Sequence, residues 1–308
     1  MLVSLPYDVV MATLLLAHPM FLALSPDEQA ASSPYFPLGI LYLASWVREN
    51  GHEVAIYDGT FEPGPETFAD ALTTHQPDVV GISALLPTRE HALELAAMAA
   101  AYGAKVVIGG PDPTSDPEFY LTDNSVDVVV HHEGEQTITR LLELSDADAL
   151  TAMSLVDEPG VAFRLDGSVA VNQPRPPIEN LDELPLPARD LVDMSRYLHL
   201  WESDNGYSSM TISTSRGCPY DCKWCQDSVH GPSFRQRSPQ SVADEVEALK
   251  AEYTIERLRM VDDVDAIDRS WFEVWAKEVD ARDAVIPFEA LNELKRQDLP
   301  LLEVGDCL

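Results

Sequence analysis

The chain has 308 residues, enough for two domains that each bury a core of their own. Its 52 acidic residues against 20 basic ones give a net charge of −32, which argues against nucleic acid and anionic membrane surfaces as partners, because both would repel it. Such an excess is the composition of a salt-adapted cytosolic protein, for which thermal stability is expected to fall between molar and millimolar salt; a merely solvated acidic surface is the other reading.

Residues 9–24, VVMATLLLAHPMFLAL, are the one long apolar run near the start. The run is short for a membrane span, contains His18 and Pro19, and follows Asp8 rather than a basic flank. It predicts a buried first strand over 12–17, with no targeting segment and the cytoplasm as compartment. Next come a helix over 37–50 with Leu38, Leu41 and Tyr42 at helical spacing, a strand over 53–58, a helix over 66–75 and a strand over 78–83. A helix over 87–101 starts at Pro87 and stops before Gly103; strands over 104–110 and 126–132 and a helix over 134–144 follow. Strands alternating with helices predict a flavodoxin-like, doubly wound parallel sheet with both faces covered. Ligands of such folds bind beyond the carboxyl ends of the strands, here the loops at His18-Pro19, Asp58-Gly59, 83–87, 109–113 and 131–135. Gly109, Gly110 and Gly134 would let a large flat ligand approach the backbone, or simply make turns.

Residues 146–208 have the texture of a connector: a hairpin turning at Asp166-Gly167, then a proline-rich stretch. A second alternation begins at Thr211. TISTS is a strand, 238–252 a helix with Ser238 as N-cap and Pro239 at its first position, 256–263 a strand, 269–283 a helix, 285–290 a strand and 299–305 the next helix. The expected domains are therefore 1–145, 146–208 and 209–308.

Between that first strand and helix lies TSRGCPYDCKWCQDS, with Cys218, Cys222 and Cys225 spaced C-x3-C-x2-C. Three thiolates on one short loop can hold three corners of an iron–sulfur cube and leave the fourth iron open to a small molecule. Zinc is the alternative, with His230 as its fourth ligand, because the remaining cysteine, Cys307, is the penultimate residue. A disulfide suits such close cysteines in a cytosolic chain least.

With Trp224 directly before the last cysteine, this stretch resembles the signature of the radical S-adenosylmethionine (SAM) enzymes. The runs PLGILYLASWVRENGHEVAIYD, PDVVGIS, VVIGGPDPT and HHEGEQT resemble, in order and spacing, the cobalamin-binding domain found before radical SAM domains. The resemblance implies a cobalamin-binding sheet followed by a partial radical SAM (β/α) barrel, C-terminally truncated, with Cys307 at a structural turn. It implies a 4Fe-4S cluster on Cys218, Cys222 and Cys225, SAM with its adenine against Trp224 and its amino group near Asp262 and Asp263, and cobalamin beside Ser83, Gly109, Gly110, Glu133, Gly134 and Glu135. Asp262 and Asp263 have a second reading, as carboxylates at a helix N-terminus. Arg216 would tune the cluster's charge or pair with a carboxylate. The chain has no D-x-H-x-x-G, the motif that supplies a cobalt ligand elsewhere; His131 and His132 are read as rim residues, since neighbours on a strand face opposite ways. Segment 180–190 would hold one cofactor over the other. The implied reaction is methyl transfer to an unactivated carbon; the alternatives are cyclisation of a tetrapyrrole-like substrate, or an inactive fragment or cobalamin-binding module. The implied partners are a small-molecule substrate, an electron donor such as ferredoxin or flavodoxin, and a chain completing the barrel.

Overall fold

The computed structural model describes residues 12–26, 33–146, 149–220, 223, 229–264 and 268–290. It divides into two compact units, Met1–Leu24 with Leu43–Arg175, and Ser25–Tyr42 with Pro176–Leu308.

In the first unit, β1 (Thr13–His18), β2 (Glu53–Asp58), β3 (Val79–Ser83), β4 (Lys105–Gly109) and β5 (Val128–Val130) run parallel in the order β2-β1-β3-β4-β5. This is the doubly wound order expected from the alternation. The strands are continuous apolar runs because both faces are covered: Leu14 and Leu16 are buried on one side, Leu15 and Ala17 on the other. The helices are α1 (Leu38–Glu49), α2 (Phe68–His75) and α3 (Arg89–Tyr102), the short α4 (Pro111–Ser115) and α5 (Pro117–Leu121), and α6 (Glu135–Asp146). Gly103 ends α3 in the left-handed conformation, φ +104°, as its place just past the apolar pattern predicts. Phe21, Phe68, Leu95, Ile108 and Tyr120 fill one side of the core.

Three features differ from the sequence expectation. The hairpin at Asp166-Gly167 is present, as β6 (Val161–Leu165) and β7 (Ser168–Val171), but it adds to the sheet instead of standing in the connector. β6 pairs antiparallel with β5, Val128 opposite Phe163, and buries Val161, Ala162 and Phe163; a hairpin's own pattern does not say which sheet edge it covers. The strand expected over 126–132 stops at Val130, and the loop expected over 109–113 winds into α4 and then α5. Helices of five residues are too short to show a period.

The second unit contains α7 (Met194–Asn205), β8 (Ser209–Ile212), β9 (Ser215–Arg216), β10 (Arg235–Gln236), α8 (Pro239–Glu252), β11 (Arg257–Met260), α9 (Arg269–Ala281) and β12 (Phe288–Glu289). β8, β11 and β12 are parallel neighbours in that order, while β9 and β10 form a separate antiparallel pair. Ser238 caps α8 by accepting the Ser241 amide at 3.1 Å, as the Ser-Pro start predicts. Beneath the strand ends lies an ionic core. Glu245 of α8, 0 % exposed, accepts from Arg189 at 2.7 Å and from Arg237, and Arg237 also contacts the Tyr42 hydroxyl at 3.3 Å and the Ser213 carbonyl at 3.0 Å. The helix expected over 299–305 and Cys307 lie outside the described residues.

Candidate functional site

Two places collect the residues singled out above. The first is the carboxyl rim of the seven-stranded sheet. Ser83 ends β3 in register with Gly109, the last residue of β4. Their exits are laced together: the Ala84 amide donates to the Gly109 carbonyl at 2.8 Å, and Gly110 has φ +111°. A methyl group on Gly110 would stand 2.7 Å from the Ala84 carbonyl oxygen, so this crossing needs glycine for packing as well as for conformation. At the neighbouring strand, Glu133 and Glu135 are buried, and a side chain on Gly134 would press on Leu43 at 3.2 Å.

His131 and His132 follow β5 and are not on it. His132 is left-handed, φ +62°, and its amide donates to Thr114 Oγ1 at 3.0 Å. The strand argument for opposite faces therefore does not apply, and their rings meet edge-on with centroids 5.3 Å apart. His131 is 4 % exposed; burial, reinforced by His132, holds its pKa below the ordinary histidine value, and its Nε2 has no hydrogen-bond partner among the described residues. A neutral imidazole with an orphaned nitrogen at this rim fits a polar ligand edge, such as a corrin amide.

Sequence reasoning missed what fastens the rim. Arg89, at the start of α3, grips both oxygens of buried Asp112 on α4 at 2.7 Å each, and the Tyr120 hydroxyl donates to the same carboxylate. The Arg89 guanidinium also lies 4.1 Å from the Phe119 ring centre. Burial alone would raise the Asp112 carboxyl's pKa, but the bonds from Arg89 and Tyr120 hold it below the usual carboxylate range. Asp112→Ala is expected to cost about 1–3 kcal/mol by leaving the Tyr120 hydroxyl buried without an acceptor. Denaturant unfolding with and without cobalamin checks it; the predicted result is weaker corrin binding as well as lower stability.

The second place is the cysteine loop. Cys218 is a partly exposed free thiol; Cys222, Trp224 and Cys225 lie outside the described residues. The loop leaves and re-enters the fold through β9 and β10, where Arg216 and Arg235 face each other in register. Gly217, φ +80°, lies against the Ser233 backbone. Asp262 and Asp263 follow β11 and close on the same segment. Buried Asp262 accepts from the Ser213 hydroxyl at 3.1 Å, the Thr214 amide at 2.7 Å, the Thr214 hydroxyl and the Ser215 amide at 3.0 Å. Exposed Asp263 accepts from the Gly217 amide at 2.9 Å. The helix N-terminal reading of this pair is corrected: α9 is capped by Asp268, which accepts the Ser270 amide at 2.8 Å. Arg216 is buried, with its guanidinium 5.6 Å from the Tyr42 ring centre. Three thiols in the sequence, one of them set on a loop fastened at its base, form a donor set suited to an iron–sulfur cluster.

Known proteins are similar to this chain over most of its length. Residues 30–142 match the B12 binding domain family. An uncharacterized methyltransferase of Pyrococcus horikoshii is 34 % identical over 264 residues, covering 81 % of this chain and 54 % of that protein. The anaerobic magnesium-protoporphyrin IX monomethyl ester cyclase of Synechocystis is 26 % identical over 275 residues, covering 87 % and 52 %. Among solved structures, the cobalamin-dependent SAM radical enzyme OxsB superposes with a TM-score of 0.76 at 19 % identity, over 91 % of this chain and 38 % of its own. The radical SAM methyltransferase TsrM of Kitasatospora setae gives 0.74 at 19 % identity, over 96 % and 58 %. The chain thus carries a B12-binding domain on a doubly wound sheet. It is similar to these methyltransferase and cyclase relatives, shares the fold of the two solved radical enzymes, and spans about half the length of the two curated relatives, 54 % and 52 %.

Proposed function

We propose that the chain works as a cobalamin-dependent radical SAM methyltransferase. The observation that carries this reading is the position of Cys218 two residues past β9, on a loop clasped at its base, in a chain whose residues 30–142 match a B12-binding domain. Cys218, Cys222 and Cys225 would hold the cluster, Trp224 would meet the SAM adenine, and exposed Asp263 has the surface to meet the SAM amino group. Ser83, Gly109, Gly110, Glu133, Gly134 and Glu135 would line the corrin. When bound, the cluster supplies the electron that breaks a carbon–sulfur bond of SAM, and cobalamin carries the methyl group; the protein's part is to bind, orient and keep water out. An unactivated carbon of a small molecule is the acceptor class, and a ferredoxin or flavodoxin the electron source.

Anaerobic reconstitution in high salt, followed by SAM cleavage with a strong reductant, tests the proposal. 5′-Deoxyadenosine should form and should vanish in Cys222→Ala. Loading without cleavage would favour a cobalamin-binding module without turnover. Cyclisation is the second reading, favoured by the Synechocystis cyclase relative; consumption of a magnesium-porphyrin ester without methyl transfer would establish it. The proposal carries a salt requirement, from the net charge of −32, and a reducing, cytoplasmic setting that keeps the thiols free. No helix among the described residues is long and apolar enough to cross a membrane.

A further inference from the structure

Parallel strands covered on both faces are ordinarily continuous apolar runs. In the second unit, β8 (SMTI) and β11 (RLRM) alternate instead. Met210, Ile212, Leu258 and Met260 are fully buried on one face, where Phe288 of β12, in register with Leu258, meets Phe272 and Trp275 of α9. The opposite face carries Ser209, Thr211, Arg257, Arg259 and Glu289, in register across the three strands. Ser209 and Thr211 are buried, so this polar face is not a solvated one.

Most of its groups are paired. Glu289 accepts from Arg257 at 2.7 Å, and the Tyr35 hydroxyl shares a hydrogen bond with the Ser209 hydroxyl at 3.2 Å. Two groups are not satisfied in this way. Partly buried Arg259 stands in register with Thr211 on one side and Glu289 on the other, yet no carboxylate among the described residues pairs with it. Its guanidinium lies 5.6 Å from the Tyr35 ring centre. Thr211 Oγ1, on a residue 2 % exposed, has no hydrogen-bond partner among the described residues. In a chain with 52 acidic residues against 20 basic ones, a guanidinium left without an anion beside an idle hydroxyl is matched to an anion from outside the chain. Both residues are one position short of their strands' carboxyl ends, Ile212 and Met260, the end at which parallel sheets take their ligands.

We propose that Arg259 and Thr211 bind an oxyanion, a carboxylate or phosphoryl group, of the small-molecule substrate. Calling the ligand a substrate rests on the enzyme reading made above. Arg259 offers a planar fork to two oxygens, and the Thr211 hydroxyl offers a further donor from the neighbouring strand. Because Arg257 already holds Glu289, the face keeps a positive charge for the ligand.

The experiment measures the affinity of the full chain for two probes, inorganic phosphate by phosphorus NMR line width and carboxyl-labelled succinate by carbon NMR line width. Molar potassium chloride screens the net charge of −32 and competes alike in every variant. At least one probe should bind, and Arg259→Gln should weaken it by about tenfold or more. Arg259→Lys keeps the charge and should restore most of the affinity. Thr211→Val should weaken binding by about threefold while leaving the unfolding midpoint unchanged or higher, since the hydroxyl it removes has no partner in the free protein. Phosphate binding alone assigns a phosphoryl group, and succinate binding alone a carboxylate. No binding of either probe, or equal binding by Arg259→Gln and the wild type, overturns the inference. If Arg259→Gln does not fold, Thr211→Val decides, and an unchanged affinity overturns the inference. Neither measurement uses the cysteines. A chain that binds a probe but never yields 5′-deoxyadenosine keeps this site and loses the enzyme reading; a chain that cleaves SAM but binds neither probe does the reverse.

Discussion

Gly217→Ala is expected to cut cluster loading at least tenfold while the first unit stays folded. Gly217 has φ +80°, where an L-residue pays roughly 1–2 kcal/mol. A methyl group there would also run into the Ser233 carbonyl, with the Ser233 carbon at 2.9 Å and the Gly231 oxygen at 3.0 Å. These neighbours are backbone, held by the β9–β10 pair, and cannot swing aside as a long side chain could. The loop base must therefore open, and one tenfold step in occupancy needs only about 1.4 kcal/mol. Gly231→Ala is the matched control: φ is +66°, but nothing lies within 4 Å of the added methyl, so only the conformational cost applies. Iron per chain after reconstitution, read beside the circular dichroism of both variants, decides the comparison.

Glu245→Ala should destabilise the second unit by about 3–5 kcal/mol, because it strands two buried guanidiniums, Arg189 and Arg237, without their shared anion. Against a typical domain stability of about 5–15 kcal/mol, that is enough to populate a half-unfolded chain in mild denaturant. Two separate transitions in urea, the first displaced to lower concentration, would report it; a single unshifted transition would refute it. The same site predicts an acid limit. Burial by itself would push the Glu245 carboxyl up, yet Arg189 and Arg237 more than offset this and hold it below the usual carboxylate range. A folded value below the unfolded one, about 4.3, means the stabilisation is fully present above that pH and is lost as pH falls through the folded value. As pH falls below about 4.3, the urea midpoint of Glu245→Gln should therefore drop less than that of the wild type.

The alternation of the first unit was legible because each strand is an apolar run bounded by Gly, Pro or Asp, and each helix has its stop signal, as at Gly103. What stayed hidden was tertiary. Nothing local in 161–171 says that Phe163 pairs with Val128, and nothing in the period of 109–121 outweighs its prolines. At the rim, glycines announced a ligand edge, but Arg89, Asp112 and Tyr120 are separated by 23 and 8 residues and meet only through the fold. Helix α7 escaped notice because Ser, His, Glu, Asp and Asn interrupt its apolar face of Met194, Tyr197 and Trp201. Asp262 and Asp263 drew attention as acids at a strand end, which suits a ligand, a helix cap or a loop clamp equally; only the positions of the Thr214, Ser215 and Gly217 amides distinguish among them.

The clasp at the foot of the cysteine loop bears on how the protein is made in the cell. Its fastenings are the β9–β10 ladder, the two aspartates and the seat of Gly217, all formed by the polypeptide itself. Small zinc modules owe their fold to the metal, so that folding and metallation are one event. Here the described fastenings are made of the chain's own amides, hydroxyls and carboxylates, so the base of the loop does not itself call on a thiolate-bound metal, and folding of the base and loading of the thiols are separable by experiment.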